Sequence, residues 1–133
     1  MTISFIEQLK SKEKYMQTEQ LIEIVRNALD DMKARDIDVI DVRGKSSVTD
    51  YMMIACGTSK RHVMSIAEEV VVNVKEEGLQ PIGTEGQGVG DWVLVDLGDV
   101  LLHVMMPDAR SFYDLERLWR FDPMDDEQSA EQA

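Results

Sequence analysis

Apolar residues change their spacing along this chain in a fixed order, and that order limits the fold to a mixed α/β arrangement. Two segments have the i, i+3, i+4, i+7 spacing of an amphipathic helix, residues 18–34 and the segment between Ser59 and Gly78. Ser59 suits an N-cap and Gly78 suits the residue that follows a helix. The two apolar stripes consist of Leu21, Ile24, Val25, Ala28, Leu29 and Met32, and of Val63, Ile66, Ala67, Val70, Val71 and Val74.

Three short apolar runs in the first part of the chain predict β-strands at 37–43, 51–56 and 79–84. The connection between the first two is too short for a parallel crossover, so these strands are antiparallel or not adjacent. The third run follows the second helix and completes a β-α-β unit, which we expect to be parallel and right-handed.

A two-residue turn at Gly98-Asp99 joins two further predicted strands, 92–97 and 100–105. Glycine in the first position favours a type II′ hairpin. Pro107 then suits the first turn of a third helix that runs to about Trp119. The sequence therefore predicts a five-stranded mixed β-sheet with about three packed helices.

The length of 133 residues fits one domain, and 44% apolar residues are enough for a core. We expect a loose extension at 1–15, a single domain at 16–121 and a disordered acidic tail at 122–133. No run approaches the roughly 18 apolar residues of a membrane span, and the first residues do not resemble a secretory signal. With its single cysteine, Cys56, the chain is predicted to be a soluble cytoplasmic protein.

The charge of the chain is strongly negative, with 14 Lys and Arg against 26 Asp and Glu and a net charge of −12. This balance argues against nucleic acid or an anionic membrane as the main partner, because both require a basic surface. Between Lys75 and Arg110 there is no basic residue apart from His103, while acidic residues are frequent. This stretch is either a solubilising surface or a docking face for a basic protein.

Residue types that carry chemistry in enzymes are present, but they form no catalytic pattern. A phosphatase loop requires Cys-x5-Arg, whereas Arg61 stands at Cys-x4-Arg, so Cys56 is interpreted as a buried apolar residue. His62 and His103 lack a second His or Cys at metal-ligand spacing, so no metal site is predicted. The glycines of 83–90 do not form G-x-G-x-x-G before a helix, so no cofactor is predicted either.

The turn Gly57-Thr58-Ser59 resembles the glycine-serine turn of nucleotidyltransferases. That chemistry requires two carboxylates on one face of the next strand, to hold metal ions. Only Glu85 lies near the end of that strand, and Asp91 and Asp96 are five residues apart, so they point to opposite faces. We interpret the turn as a helix cap. A nucleotidyl- or phosphotransferase remains the alternative function.

Trp92 is placed differently from the other aromatic residues, because it follows a glycine-rich loop and begins a hairpin. Trp92, Leu94 and Asp96 share one face of their strand. His103 and Met105 share one face of the next strand of the hairpin. Three helices can hardly cover both faces of a five-stranded sheet. A partly bare face with Trp92 would suit protein recognition; ordinary helix-covered core is the other interpretation.

Five separate motifs, spread over residues 16–121, resemble the Iojap family of ribosomal silencing factors. They are DVRGKSSVTDY at 41–51, GTS at 57–59, DWVLVDLGDV at 91–100, HVM at 103–105 and RSFYDLERLW at 110–119. The resemblance implies a nucleotidyltransferase-like fold without catalytic carboxylates or enzymatic activity.

The resemblance also implies a function and a partner. A member of this family is expected to bind large-subunit ribosomal protein fourteen where the two subunits meet. There it blocks joining of the small subunit and represses translation when nutrients are short; an assembly adaptor for the large subunit is a further alternative. A homodimer is expected for the free protein. The predicted partner-binding residues are Trp92, Asp91, Glu85, His103, Met105, Arg110 and Tyr113.

Overall fold

The computed structural model describes residues 18–120, and the predicted extension 1–15 and tail 122–133 lie outside the described residues. Within that range four helices and five strands follow one another, two of the helices being the amphipathic ones predicted. Their bounds are α1 (18–31), β1 (Arg35–Asp41), β2 (Tyr51–Cys56), α2 (Lys60–Glu76), β3 (Gly83–Glu85), β4 (Trp92–Asp96), β5 (Val100–Met105), α3 (Pro107–Tyr113) and α4 (Leu115–Arg120).

The five strands form one mixed sheet in the order β1-β2-β5-β4-β3. The centre is the parallel pair β2–β5, which is in register from Tyr51 opposite Val100 to Cys56 opposite Met105. The other three pairs are antiparallel. For β1 and β2 the short connection predicts either an antiparallel pair or strands that are not adjacent, and the structure shows the antiparallel pair. The predicted fold class is therefore confirmed.

The strand after α2 is shorter than predicted and lies at a sheet edge. It covers Gly83–Glu85 and pairs with β4 only, among the described residues. The successive pairings make β3 run in the same direction as β2, as expected of a β-α-β unit. However, β5 and β4 lie between the two strands, because the more apolar β5 takes the place beside β2.

The predicted third helix is divided into α3 and α4 at Asp114. This residue has left-handed backbone angles, φ 48° and ψ 51°, and its N–H donates to the carbonyl of Arg110. Aspartate tolerates this conformation better than most residues with a side chain. The break changes the chain direction, so that Leu115 and Trp119 of α4 pack against the sheet.

The two faces of the sheet are covered unequally. On the first face α1 and α2 bury a large core, which includes Met53, Ala55, Val93, Val95, Leu102 and Val104 from the strands. On the second face the short helices α3 and α4 cover a smaller cluster of Ile40, Val42, Met52, Ile54 and Met105. No helix among residues 18–120 is long and apolar enough to cross a membrane.

The glycine-rich loop before β4 fits tightly against the strand that it precedes. Gly86 has φ 89°, and a Cβ atom at this position would overlap the carbonyl oxygen of Trp92. Gly88, in the same loop, has open space around it. The first glycine is therefore required for the path of the loop, and the second is not.

We expect Gly86→Ala to lower the free energy of unfolding by about 2 kcal/mol or more, because strain and overlap act together. Gly88→Ala is the matched control and should change it by less than about 0.5 kcal/mol. Urea unfolding followed by circular dichroism measures both. Equal stability of the two variants would contradict the close approach of the loop to Trp92.

Candidate functional site

Trp92 begins β4 on the less covered face of the sheet. It is half-buried and lies opposite Met105 in the β4–β5 register. Along the same strand Val93 and Val95 point to the large core and are fully buried. The predicted alternation of the strand is confirmed, and Trp92 is packed against the smaller cluster while remaining partly accessible.

Three aromatic side chains form a continuous row at this position, which we call the aromatic row: Trp92, Tyr113 and Phe112. The ring centroids of Trp92 and Tyr113 are 4.7 Å apart with the planes tilted by 48°. Phe112 meets Tyr113 edge to face at 5.1 Å. Tyr113 is 53% exposed and Phe112 is 81% exposed. Such a row of large exposed rings is typical of a protein-binding surface.

His103 lies beneath the row and is hydrogen-bonded to it. The Trp92 indole Nε1–H donates to His103 Nδ1 at 2.9 Å. The histidine is only 5% exposed, and burial lowers its pKa from 6.5 to about 4. Nδ1 accepts a hydrogen bond, so the neutral ring carries its proton on Nε2. Among the described residues no partner lies within hydrogen-bond distance of Nε2.

Beside the row, the same sheet face is left partly open by α3 and α4. We call the residues Glu85, Leu94, Asp96 and Leu101 the open face. The register places Leu94 between Glu85 and His103, and Asp96 opposite Leu101. Glu85 is exposed, and the other three are half-buried. Two leucines flanked by two carboxylates form a surface that is apolar and acidic at once.

Six of the seven predicted site residues fall into two groups in the structure, and Arg110 is described below. Glu85, Asp91, Trp92 and Tyr113 reach the surface, whereas His103 and Met105 are buried below Trp92. Asp91 is paired with Lys60 at 3.5 Å, a base that is distant in sequence. Phe112, Leu94 and Leu101 also lie on this surface and are not among the residues predicted from the sequence. Their signals were present, because Phe112 adjoins Tyr113 and the leucines alternate with strand residues of the other face.

Comparison with known proteins gives one consistent result. The chain matches the family described as "Ribosomal silencing factor during starvation" over residues 15–133. It is 46% identical to the ribosomal silencing factor of Haemophilus influenzae over 99 residues, which cover 74% of this chain and 97% of the relative. A crystal structure of a Chromobacterium violaceum protein superposes with a TM-score of 0.76 at 40% identity, covering 78% of this chain and 87% of that one.

The chain belongs to the ribosomal silencing factor family. A more distant relative is the mouse protein "Mitochondrial assembly of ribosomal large subunit protein 1", which is 35% identical over 80% of this chain and 48% of its own length. The resemblance found in the sequence motifs is thereby confirmed. The fold described above is that of a member of this family.

In this family member Arg110 makes internal contacts. Its Nε donates to Glu116 at 2.6 Å, and Nη1 donates to the Asp36 carbonyl at 2.5 Å and lies 3.3 Å from Cys56 Sγ. The guanidinium keeps the pKa of Glu116 below its usual range through this hydrogen bond. Arg110 thus ties α3 and α4 to the first two strands of the sheet.

The turn Gly57-Thr58-Ser59 caps α2. Ser59 Oγ accepts a hydrogen bond from the His62 N–H at 3.0 Å, and His62 Nδ1 accepts one from the Thr58 N–H at 2.9 Å. The capping interpretation is confirmed. Within residues 18–120 no group of three His, Cys, Asp or Glu side chains is arranged to hold a metal ion. Cys56 is 2% exposed, as the interpretation of a buried apolar residue required.

The low pKa of His103 predicts a loss of stability in mild acid. Between pH 6.5 and about 4 the unfolded chain binds a proton that the folded chain excludes, so the free energy of unfolding falls as the pH falls. From pH 7.5 to 4.5 the wild type should lose about 2–3 kcal/mol more than His103→Asn, which has no such titration. Urea unfolding at a series of pH values measures this difference. The carboxylates titrate in both chains, and parallel pH profiles would contradict the prediction.

Proposed function

We propose that this chain silences ribosomes by binding the large subunit through the aromatic row and the open face. The contact is with large-subunit protein fourteen, at the face where the two subunits meet. The bound chain then blocks joining of the small subunit by steric overlap and represses translation in the cytoplasm when nutrients are short. This function requires no enzymatic step and no cofactor.

The aromatic row is the observation that carries the proposal. Phe112 and Tyr113 are exposed, and Trp92 is half-buried and packs against the smaller cluster. Tryptophan and tyrosine are enriched among the residues that dominate binding energy. A half-buried tryptophan loses little side-chain entropy on binding, because its ring is already held.

The charge of the surrounding surface supports a basic protein as the partner. Glu85 and Asp96 belong to the open face, whereas Asp91, which adjoins Trp92, is paired with Lys60. From residue 76 to residue 109 the chain has no Lys or Arg. Proteins that bind ribosomal RNA are rich in basic residues, so an acidic surface complements them better than it complements the RNA itself.

A role in assembly of the large subunit is the second candidate. It is favoured by the name of the mouse relative, which refers to assembly of the mitochondrial large subunit. Both functions use the same surface and the same partner. They differ in timing, since an assembly factor binds immature subunits and a silencing factor binds mature ones.

Sedimentation with separated subunits tests the proposal. The purified chain, mixed with mature large subunits, should cosediment in a sucrose gradient, and it should not cosediment with small subunits. Added before the small subunit, it should also reduce the peak of joined ribosomes. Binding confined to precursor particles would favour assembly instead, and binding to small subunits would overturn the proposal. The expected homodimer stays a prediction, which sedimentation equilibrium of the free protein checks.

We expect Trp92→Ala to remain folded and to lose at least thirtyfold in affinity for large subunits, about 2 kcal/mol. Its free energy of unfolding should fall by about 2 kcal/mol as well, since the ring packs on the smaller cluster but not in the large core. Cosedimentation with large subunits measures the affinity, and thermal unfolding measures the stability.

The matched control for this variant is Val72→Ala. Val72 is an exposed apolar residue on α2, the helix that covers the opposite face of the sheet. The Val72→Ala variant should bind large subunits with the affinity of the wild type. A Trp92→Ala variant that folds and binds normally would move the site away from the aromatic row. A variant that fails to fold would show that the core depends on Trp92 more than its exposure indicates.

The acidic surface predicts that association is sensitive to salt. Raising the salt concentration from 0.1 M to 1 M shortens the screening length from about 10 Å to about 3 Å, so the association rate should fall. The double change Glu85→Gln and Asp96→Asn should lower the rate at low salt and weaken its salt dependence. Stopped-flow mixing with large subunits measures these rates. Rates that do not change with salt would show that the carboxylates do not steer docking.

A further inference from the structure

We propose that His103 is a positioning residue for partner binding, which holds the indole of Trp92 in the orientation that the aromatic row requires. This inference rests on the proposed function and extends it to a buried residue. His103 would act through Trp92 and would not itself touch the partner.

The geometry places His103 where it can fix the indole firmly. It lies on β5, the strand between β2 and β4, and its neighbours across the sheet are Ile54 and Leu94. Trp92 occupies the diagonal position on β4, so its Nε1 reaches His103 Nδ1 at 2.9 Å. The histidine is 95% buried in a central strand, so the acceptor has little freedom to move.

The chemistry of the two groups makes this bond selective. An indole N–H is a donor only, so its partner must present a free lone pair. A protonated imidazole has none, whereas a neutral one with its proton on Nε2 presents Nδ1. Burial keeps the pKa of His103 at about 4, so the accepting form persists throughout the physiological pH range.

The buried Nε2 indicates that the histidine is not there for stability alone. Among residues 18–120 this atom has no hydrogen-bond partner, and an unpaired buried polar atom destabilises a fold. A leucine or methionine, as at neighbouring core positions, would avoid that cost. What histidine adds at this position is the single hydrogen bond that it accepts from Trp92.

The orientation of Trp92 determines that of the whole row. Its ring contacts Tyr113 at a centroid distance of 4.7 Å, and Tyr113 contacts Phe112. Without the bond to His103, a half-exposed indole at a strand end would have other rotamers available. Binding would then have to order three side chains at once, which costs affinity.

Two variants of His103 separate positioning from a merely structural role. His103→Leu removes the acceptor, whereas His103→Asn keeps an oxygen acceptor close to the position of Nδ1. The first readout is the Nε1–H resonance of Trp92 in the free protein, with that of Trp119 as an internal reference. In His103→Leu we expect it to move upfield and to exchange faster with solvent, and in His103→Asn to stay close to the wild type.

The second readout is affinity for isolated large subunits. We expect His103→Leu to bind about tenfold more weakly and His103→Asn to bind within about threefold of the wild type. If Trp92→Ala loses binding but His103→Leu binds normally, the positioning role is overturned and the proposed function stands. If Trp92→Ala itself binds normally, the proposed function falls.

A third variant keeps the test decisive should His103→Leu fail to fold. Trp92→Phe removes the donor and leaves His103 in place, so it breaks the same hydrogen bond from the other side. We expect it to bind about tenfold more weakly than the wild type. A folded Trp92→Phe variant that binds like the wild type would overturn the positioning role.

Discussion

The parallel pairing of β2 with β5 is the interaction on which the rest of the structure depends. Six residue pairs hold the two strands in register at the centre of the sheet. A parallel pair cannot be joined by a tight turn, so the chain must pass through α2, β3 and β4 before it returns. Each strand then divides its side chains between the two faces, Met53 and Leu102 toward the large core and Ile54 and His103 toward the smaller cluster.

The helices that cover the two faces differ in length, so one face is left partly exposed and forms the candidate binding surface. The long helices α1 and α2 bury the first face completely around Val93 and Val95, which secures the fold. Among the described residues, the second face receives only α3 and α4, which are seven and six residues long. They cover the β1 and β2 side and leave Leu94 and Leu101 partly open. Trp92 lies at the border of the covered and the open part, so it is held by the fold and also available to a partner.

Local signals predicted the elements that local chemistry decides. The second strand was predicted to the residue, and Gly98, with φ 86°, makes the turn that its place in the sequence indicates. Features decided by distant contacts were missed. Asp114 breaks the third helix without a glycine to mark the position, and Arg110 of that helix bonds to the Asp36 carbonyl. The first strand begins two residues early and is irregular, because Asp36 has a positive φ.

The contacts within the candidate site also could not be predicted from the sequence, because they depend on how distant segments pack together. Trp92 was identified from its neighbours in sequence, but its bond to His103 depends on the β4–β5 register and its contact with Tyr113 on the path of α3. Only the folded sheet gives the histidine its role. The central position of β5 buries the imidazole, burial keeps it neutral, and neutrality leaves Nδ1 free to accept the indole N–H. The stability of the sheet centre and the orientation of the exposed aromatic row are therefore consequences of the same strand order.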